Sequence, residues 1–471
     1  MRPKGMRLAA LFLLLGAAGG LTAVHGAAQE GPPPAGQPRD FRLPEKAELT
    51  LENGLEATLV AYGAVPKVAV RLVIRTGNID EAADEVWLAD LAGDLLEEGT
   101  TTRSARQIAE QVASMGGSLG VGVEMDQTTI SGEVLSEFGP DLVRLIADVI
   151  RHPAFPASEL ERLKADRLRE LAIARTQPDA ITSERFRLVM YPDHPYGRLF
   201  PAEELLRGYS LEQIRAFYAR HFGAARAHVY VSGRFDERAM RKVIREVFAD
   251  WEAGRPPTVN IPSPVTARAL YVIDRPGSVQ STIYLGLPAI DPSHADWVAL
   301  DVADALLGGA FTSRITQNIR EDKGYTYSPF STVSARYRDA YWVQMADVTT
   351  DVTGAALGEI LKEIETLRNE APPADELRRI QNYMAGLFVL QNSSRSGIIG
   401  QLAFLDLHGL PEAFLTSYVQ QVYEVTPGDV QRVAKEYLRP EDMLLVVTGD
   451  RARIESQLGA FATAVFTEQE E

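Results

Sequence analysis

WLADLAGDLLEEGT, residues 87–100, sets the reading of the whole chain. Leu88, Leu91 and Leu95 recur at three- and four-residue steps, the apolar stripe of an amphipathic helix, and Gly99 is placed to end it. Asp90, Asp94 and Glu97 line another face. The same plan returns later in the chain. Trp297 stands twelve residues before Gly309, as Trp87 does before Gly99, and Ser313-Arg314 echoes Thr102-Arg103. Leu160 in SELERLK has a counterpart in Leu377 of DELRRI, and HFGAARAHVYVSG and YLRPEDMLLVVTG each run eleven residues from Phe222 or Leu438 to Gly233 or Gly449. Offsets of 210, 217 and 216 residues, met in the same order, imply a duplicated unit of about 200 residues, too long and too few-fold for a solenoid.

Composition agrees with two large cores. The 471 residues are 45% hydrophobic, and a single core stops growing beyond about 250–300 residues. A net charge of -16 disfavours nucleic acid and anionic membrane surfaces as partners. Arg2, Lys4 and Arg7 precede an apolar run over residues 8–15 and then Ala and Gly up to Ala28, the layout of a cleaved signal peptide at 1–28, which implies a periplasmic protein with no stable membrane anchor after cleavage. There are no cysteines, so no disulfide is expected. Four prolines in residues 29–43 mark a tether, and GRPPTVNIPSP, 254–264, a linker. The domains expected are therefore 44–253 and 265–467.

Within the first, residues 47–62 read as two strands about Asn53-Gly54, suited to a tight type I′ turn. Strands are expected at 68–75, 118–123, 128–135 and 227–232, and helices at 87–100, 104–115, 140–151, after Pro156 and at 211–220. Strands interrupted by helix pairs give an α+β class: two tandem homologous domains, each a largely antiparallel sheet packed with helices, arranged as a clam.

GGAFTSRITQNIREDKGYTYS, residues 308–328, continues as a helix over 315–320, breaks at Gly324 and starts an extended run with Tyr325 and Tyr327 on one face. Arg320 offers a rigid fork of donors and Tyr327 one more, a pair suited to gripping peptide carbonyls or an oxyanion. Arginine at a helix end and tyrosine in a strand are also ordinary structural residues.

With LENGL, YPDHPYGRLF at 191–200 and NIREDKGYTYS, the chain resembles the pitrilysin superfamily of insulin-degrading enzyme and mitochondrial processing peptidase, particularly its small bacterial two-domain members. The resemblance covers everything after the tether. It implies a zinc helix bearing H-x-x-E-H a few residues before a Gly-Thr pair, and a third ligand, a glutamate before a lysine, in the helix after Phe155-Pro156. Anchored on Gly99-Thr100, those positions hold Asp90, Gly93, Asp94 and Leu163. None supplies the chemistry required, since zinc takes imidazole, thiolate or carboxylate ligands and glycine cannot act as a base. Asp90, Asp94 and Glu97 could offer oxygens to a harder cation, although a solvated acidic face satisfies the same pattern. The seven histidines show no paired ligand spacing, and Gly120 stands where the family has an asparagine on its substrate-aligning edge strand. No metal is therefore expected in this chain.

Arg320 and Tyr327 match the superfamily's Arg/Tyr pair, which contacts substrate. In its two-chain bacterial members one chain carries the metal motif and the other this pair. The implied function is a non-catalytic, substrate-binding subunit of a periplasmic zinc metalloendopeptidase that cleaves peptides or unfolded segments. Zinc and the intact H-x-x-E-H would reside in a homologous partner. The alternative is an inactive peptide-binding or scaffold protein of the same fold.

Overall fold

The computed structural model describes residues 41–459, Phe461 and the backbone of Val465–Gln469. The expected signal peptide and all but the end of the tether lie outside these residues. Among the described residues no helix is long and apolar enough to cross a membrane.

The class is α+β, built on two six-stranded sheets. Strands β1 (Lys46–Thr50), β2 (Glu56–Ala61), β3 (Lys67–Ile74), β4 (Ser118–Val123), β5 (Thr128–Leu135) and β6 (Ala227–Gly233) lie in the order β1-β2-β6-β3-β5-β4. Strands β7 (Ala269–Asp274), β8 (Gln280–Ala289), β9 (Phe330–Arg336), β10 (Asp339–Thr349), β11 (Leu444–Gly449) and β12 (Val465–Gln469) lie in the order β12-β7-β11-β8-β10-β9. Five strands of one sheet thus match five of the other in order. Direction matches too: β2 with β6 and β7 with β11 are parallel, and the remaining matched pairs antiparallel. The sheets differ at one edge, where β1 joins β2 as an antiparallel hairpin and β12 arrives from the far end of the chain, parallel to β7.

Local chemistry places the elements. Helix Ala105–Ser114 opens on a capping box, with Gln107 N donating to Ser104 Oγ (3.3 Å) and Ser104 N to Gln107 Oε1 (2.9 Å). Equivalent boxes, Ser210 with Gln213 and Thr426 with Asp429, start helices Leu211–His221 and Pro427–Tyr437 in the two halves. The turn at Asn53-Gly54 is wider than expected. Leu51 N donates to Leu55 O and Gly54 N to Leu51 O, and of the two central residues only Gly54 has positive φ, +89°. A type I′ turn needs positive φ at both. Asn53 instead turns its amide across the chain to Phe248 O (2.7 Å) and Trp251 O (2.8 Å).

Each sheet packs one face on helices of its own half and the other on a helix of the opposite half. Helix Pro178–Met190 sets Phe186 and Met190 against Ile273, Tyr284, Tyr341, Val343 and Val446 of the second sheet. Helix Arg395–His408 sets Ile398, Ile399, Leu402 and Ala403 against Val60, Ala69, Val73 and Tyr230 of the first. The two visiting helices begin 217 residues apart, so they are the same element of the duplicated unit. Polar contacts fix each docking: Tyr284 Oη donates to Asp179 Oδ1 (2.8 Å), Tyr230 Oη to Asp406, and Arg395 forks onto Glu133 (2.9 and 3.0 Å). Gly286 lets the ring of Phe186 reach the strand, since a Cβ there would come within 2.8 Å of Phe186 Cζ. The YPDHPYGRLF motif closes this seam, with Tyr191 donating to Asp339 and Tyr196 Oη to Asp126 (2.6 Å) while accepting from Tyr337 N.

Phe186 is fully buried between the halves, so Phe186→Ala should lower unfolding free energy by about 3–5 kcal/mol in urea titration. A second test concerns pH. His228 lies under helix Arg395–His408, with Nε2 2.9 Å from Thr58 Oγ1 and Nδ1 3.2 Å from Asp406, and burial pushes its pKa down to about 4. The unfolded chain, with a histidine pKa of about 6.5, binds that proton first, so this group's contribution to stability falls as pH drops from about 6.5 and is fully lost below about pH 4. His228→Gln should lose about 2 kcal/mol less than the parent between pH 7 and pH 5, read from urea midpoints.

Candidate functional site

The residues at the superfamily's zinc positions meet in the first half, on helices Leu88–Glu97 and Ala157–Ala174. The first helix enters under constraint: Trp87 has φ +67°, held by its indole N–H on Leu199 O (3.0 Å) and by Glu81, which accepts from Trp87 N (3.2 Å) and Ala89 N (2.8 Å). Burial pushes the carboxyl of Glu81 well above the usual range. Leucines 88, 91 and 95 face the core as their spacing requires, and Asp90 and Asp94 face the second helix.

Between them lies Arg167. Its Nε and Nη2 fork onto the two oxygens of Asp94 (2.7 and 2.8 Å), and its Nη1 lies 3.4 Å from Asp90 Oδ1. Asn78 Nδ2 donates to the other oxygen of Asp90 (2.7 Å). Burial raises the pKa of Asp90, and Arg167 opposes that rise. A fixed guanidinium thus compensates the two aspartates from within the chain. Leu163, one turn earlier on the same helix, is buried in the hydrophobic core.

The remaining space is closed as well. Gly93 faces β4, and a Cβ there would come within 2.5 Å of Val123 Cγ2, so its missing side chain lets the strand approach the helix. Glu97 does not join the aspartates. Its Oε1 accepts from Val121 N (2.9 Å) on β4, the outermost strand, and so occupies a backbone donor that an added strand would need. These residues do not fit zinc, because the two carboxylates are held by arginine and the other two positions are apolar or bare. The hard-cation reading of Asp90, Asp94 and Glu97 loses its third carboxylate, since Glu97 turns to β4 while Arg167 pairs with the two aspartates. Among the described residues no group of three or more His, Cys, Asp or Glu is gathered as a metal site.

Arg320 and Tyr327 come together in the second half. Arg320 lies on a wide, π-helical stretch, Thr316–Asp322, which replaces the α-helix expected there. Gly324 then turns the chain with φ +66°, and Tyr325 N bonds back to Ile319 O (2.8 Å). The guanidinium lies over two rings, 4.4 Å from the centroid of Phe311 and 4.9 Å from that of Tyr327. Those rings are 64% and 78% exposed, so the stack stands at the surface. Cation–π contact with the two rings holds the guanidinium through its π system and leaves N–H groups to donate, with Glu321 3.2 Å from Nε. Tyr325, expected on the same face, packs instead against the core.

Sequence reasoning missed Arg167 and Phe311. Arg167 follows Leu163 by four residues, a spacing that places both on one helical face, and that signal was available. Phe311 carries none, since only the fold brings it to Arg320.

The Insulinase (Peptidase family M16) model matches residues 59–199, and the Peptidase M16 inactive domain model matches 208–384. The chain belongs to the M16 peptidase family. It is 26% identical over 348 residues to an uncharacterized zinc protease of Bacillus subtilis (strain 168), covering 73% of this chain and 84% of that one. To an uncharacterized zinc protease of Mycobacterium leprae (strain TN) it is 24% identical over 395 residues, 83% and 88% of the two chains. Its fold is similar to the crystal structure of a peptidase M16 inactive domain from Pseudomonas fluorescens (TM-score 0.79, 22% identity, 86% of this chain and 98% of that). It is similar also to a protease from Helicobacter pylori (TM-score 0.80, 20% identity, 87% and 100%).

For this M16 chain, Arg167→Met should cost about 3–5 kcal/mol by urea unfolding, because it strands two partly buried carboxylates. Adding Asp90→Asn and Asp94→Asn should restore most of the loss. A triple variant no more stable than Arg167→Met would show that the arginine acts through packing alone.

Proposed function

We propose that this chain is the substrate-binding, zinc-free subunit of a periplasmic zinc metalloendopeptidase that cleaves peptides or unfolded segments. Zinc and the general base reside in a homologous partner with an intact H-x-x-E-H motif. One contrast carries the reading. The superfamily's metal positions are occupied by an internal ion pair on Arg167, whereas Tyr327 stands exposed over a half-buried Arg320 whose only ion-pair neighbour among the described residues is Glu321, at Nε.

The roles follow from the side chains. The edge of Arg320 donates to a substrate carbonyl or to the oxyanion formed from it, Tyr327 Oη adds a donor, and Phe311 holds the guanidinium in orientation. No hydrolytic step is assigned to residues of this chain. The occupied donor of Val121 in the first half leaves the second half as the side that receives substrate.

The test is expression of the chain alone and with a homologous chain bearing H-x-x-E-H, followed by zinc content and cleavage of a quenched peptide. Cleavage is expected only from the pair, with zinc in the partner. Zinc-dependent cleavage by the lone chain would overturn the proposal. Within the pair, Arg320→Ala should lower kcat/KM by about a hundredfold, and Tyr327→Phe by less, at unchanged zinc content. Unaltered kinetics in both variants would remove their role.

A further inference from the structure

The second half contains the counterpart of the Asp94–Arg167 pair with its cation missing. Asp304 follows Asp94 by 210 residues and Met384 follows Arg167 by 217, the offsets of the duplication. Both line a cavity of about 550 Å³ between helices Trp297–Asp304, Ala374–Gln391 and Arg395–His408 and the start of β9. Where the first half places a guanidinium against its aspartate, the second places a thioether. None of the described residues lining the cavity is Lys, Arg or His.

Asp304 is only 6% exposed. Its Oδ1 accepts from Ser331 Oγ (2.5 Å) and Trp342 Nε1 (2.7 Å), which uses that oxygen fully. No described residue donates to Oδ2. That oxygen lies beside Gly309, another lining residue, where a Cβ would come within 2.7 Å of it, so the bare glycine keeps it open. Asp301 also lines the cavity, with Oδ2 accepting from Tyr418 Oη (2.9 Å). Burial pushes the Asp304 carboxyl up to about 7, the mark of an acid lacking a cation. Trp297, Phe330, Tyr383, Phe388, Phe404 and Tyr418 supply aromatic walls.

These features select among ligands. An anion meets two carboxyls, and a wholly apolar group leaves Oδ2 buried without a donor. A guanidinium needs both oxygens for its fork, and Oδ1 is already taken. A compact ammonium needs one open oxygen, and aromatic faces favour it further. The volume suits a small organic group.

We propose that this cavity binds a primary ammonium group carried on an apolar stem, seated on Asp304 Oδ2 beside Gly309. The group is the head of a lysine side chain or of a free alkylamine. Phe330, Ser331 and Thr332 line the cavity and open β9, the outermost strand of its sheet, so a peptide laid along that strand is one route of delivery. The site does not depend on the role given to Arg320.

The test is calorimetric titration of the purified chain with n-hexylamine against 1-hexanol, and with a lysine-containing hexapeptide against its acetyl-lysine form. At least one cationic probe should bind about tenfold more tightly than its neutral counterpart. Preference in the amine arm alone identifies a small-amine pocket, and in the peptide arm alone a side-chain subsite. Asp304→Asn keeps an acceptor for Ser331 and Trp342 and should abolish the preference. Met384→Arg, which rebuilds the pair of the first half, should do so by occupying the site, and stands in if the asparagine variant fails to fold. Arg320→Ala should leave the preference intact, which separates this site from the Arg/Tyr pair. Equal affinity for charged and neutral probes in both arms would overturn the proposal, as would a preference that survives either cavity variant.

Discussion

A sheet with apolar side chains on both faces needs two covering layers, and this duplicated unit covers only one face of each sheet with helices that stay at home. The other face is covered by exchange, helix Pro178–Met190 on the second sheet and Arg395–His408 on the first. Most of what is distinctive in the chain follows. The aromatic motif at residues 191–200 lies at the end of one visiting helix, and His228 and Tyr230, both on Asp406, mark where the other docks. Because the seam is packed like a core, the two sites are held on one stable frame rather than on shells free to separate.

Electrostatics then divides the labour between the halves. A metal centre gathers donors around a cation, and in the first half the cation is supplied by the protein itself as Arg167. The exchange keeps charge balanced on the helix and commits both aspartates to the arginine. Its neighbourhood is closed in the same sense, with valines against Gly93 and Glu97 on the strand edge. In the second half the polar groups at Arg320 and Asp304 remain directed at solvent or at a cavity.

The parts legible in the sequence were those whose signal is local. The leucine stripe of residues 88–95, the helices starting near 104 and 211 and the strands at 118–123 and 128–135 fall where periodicity puts them. The order of the landmarks revealed the duplication, which the strand order repeats. The visiting helices escaped because PDAITSERFRLVM and RSGIIGQLAFLDLH carry no single apolar stripe: their apolar residues are divided between a distant sheet and their own surroundings. At the site, loss of the ligands was legible, and so was the helical face that Arg167 shares with Leu163, but its pairing with Asp94 spans 73 residues of chain and only the fold makes it. The type I′ turn failed for a similar reason, as Asn53 serves a contact with the far end of its domain.

An exchange in which each half gives the element it receives is closed under a two-fold rotation, which is the symmetry of a homodimer. The chain is thus built as two subunits of one dimer joined end to end through the irregular segment at 252–268. In a true homodimer a substitution appears at both copies of a site. Covalent joining lifts that restriction, so the position facing the aspartate can be arginine in one copy and methionine in the other. The linker matters less for the distance it spans than for the asymmetry it permits.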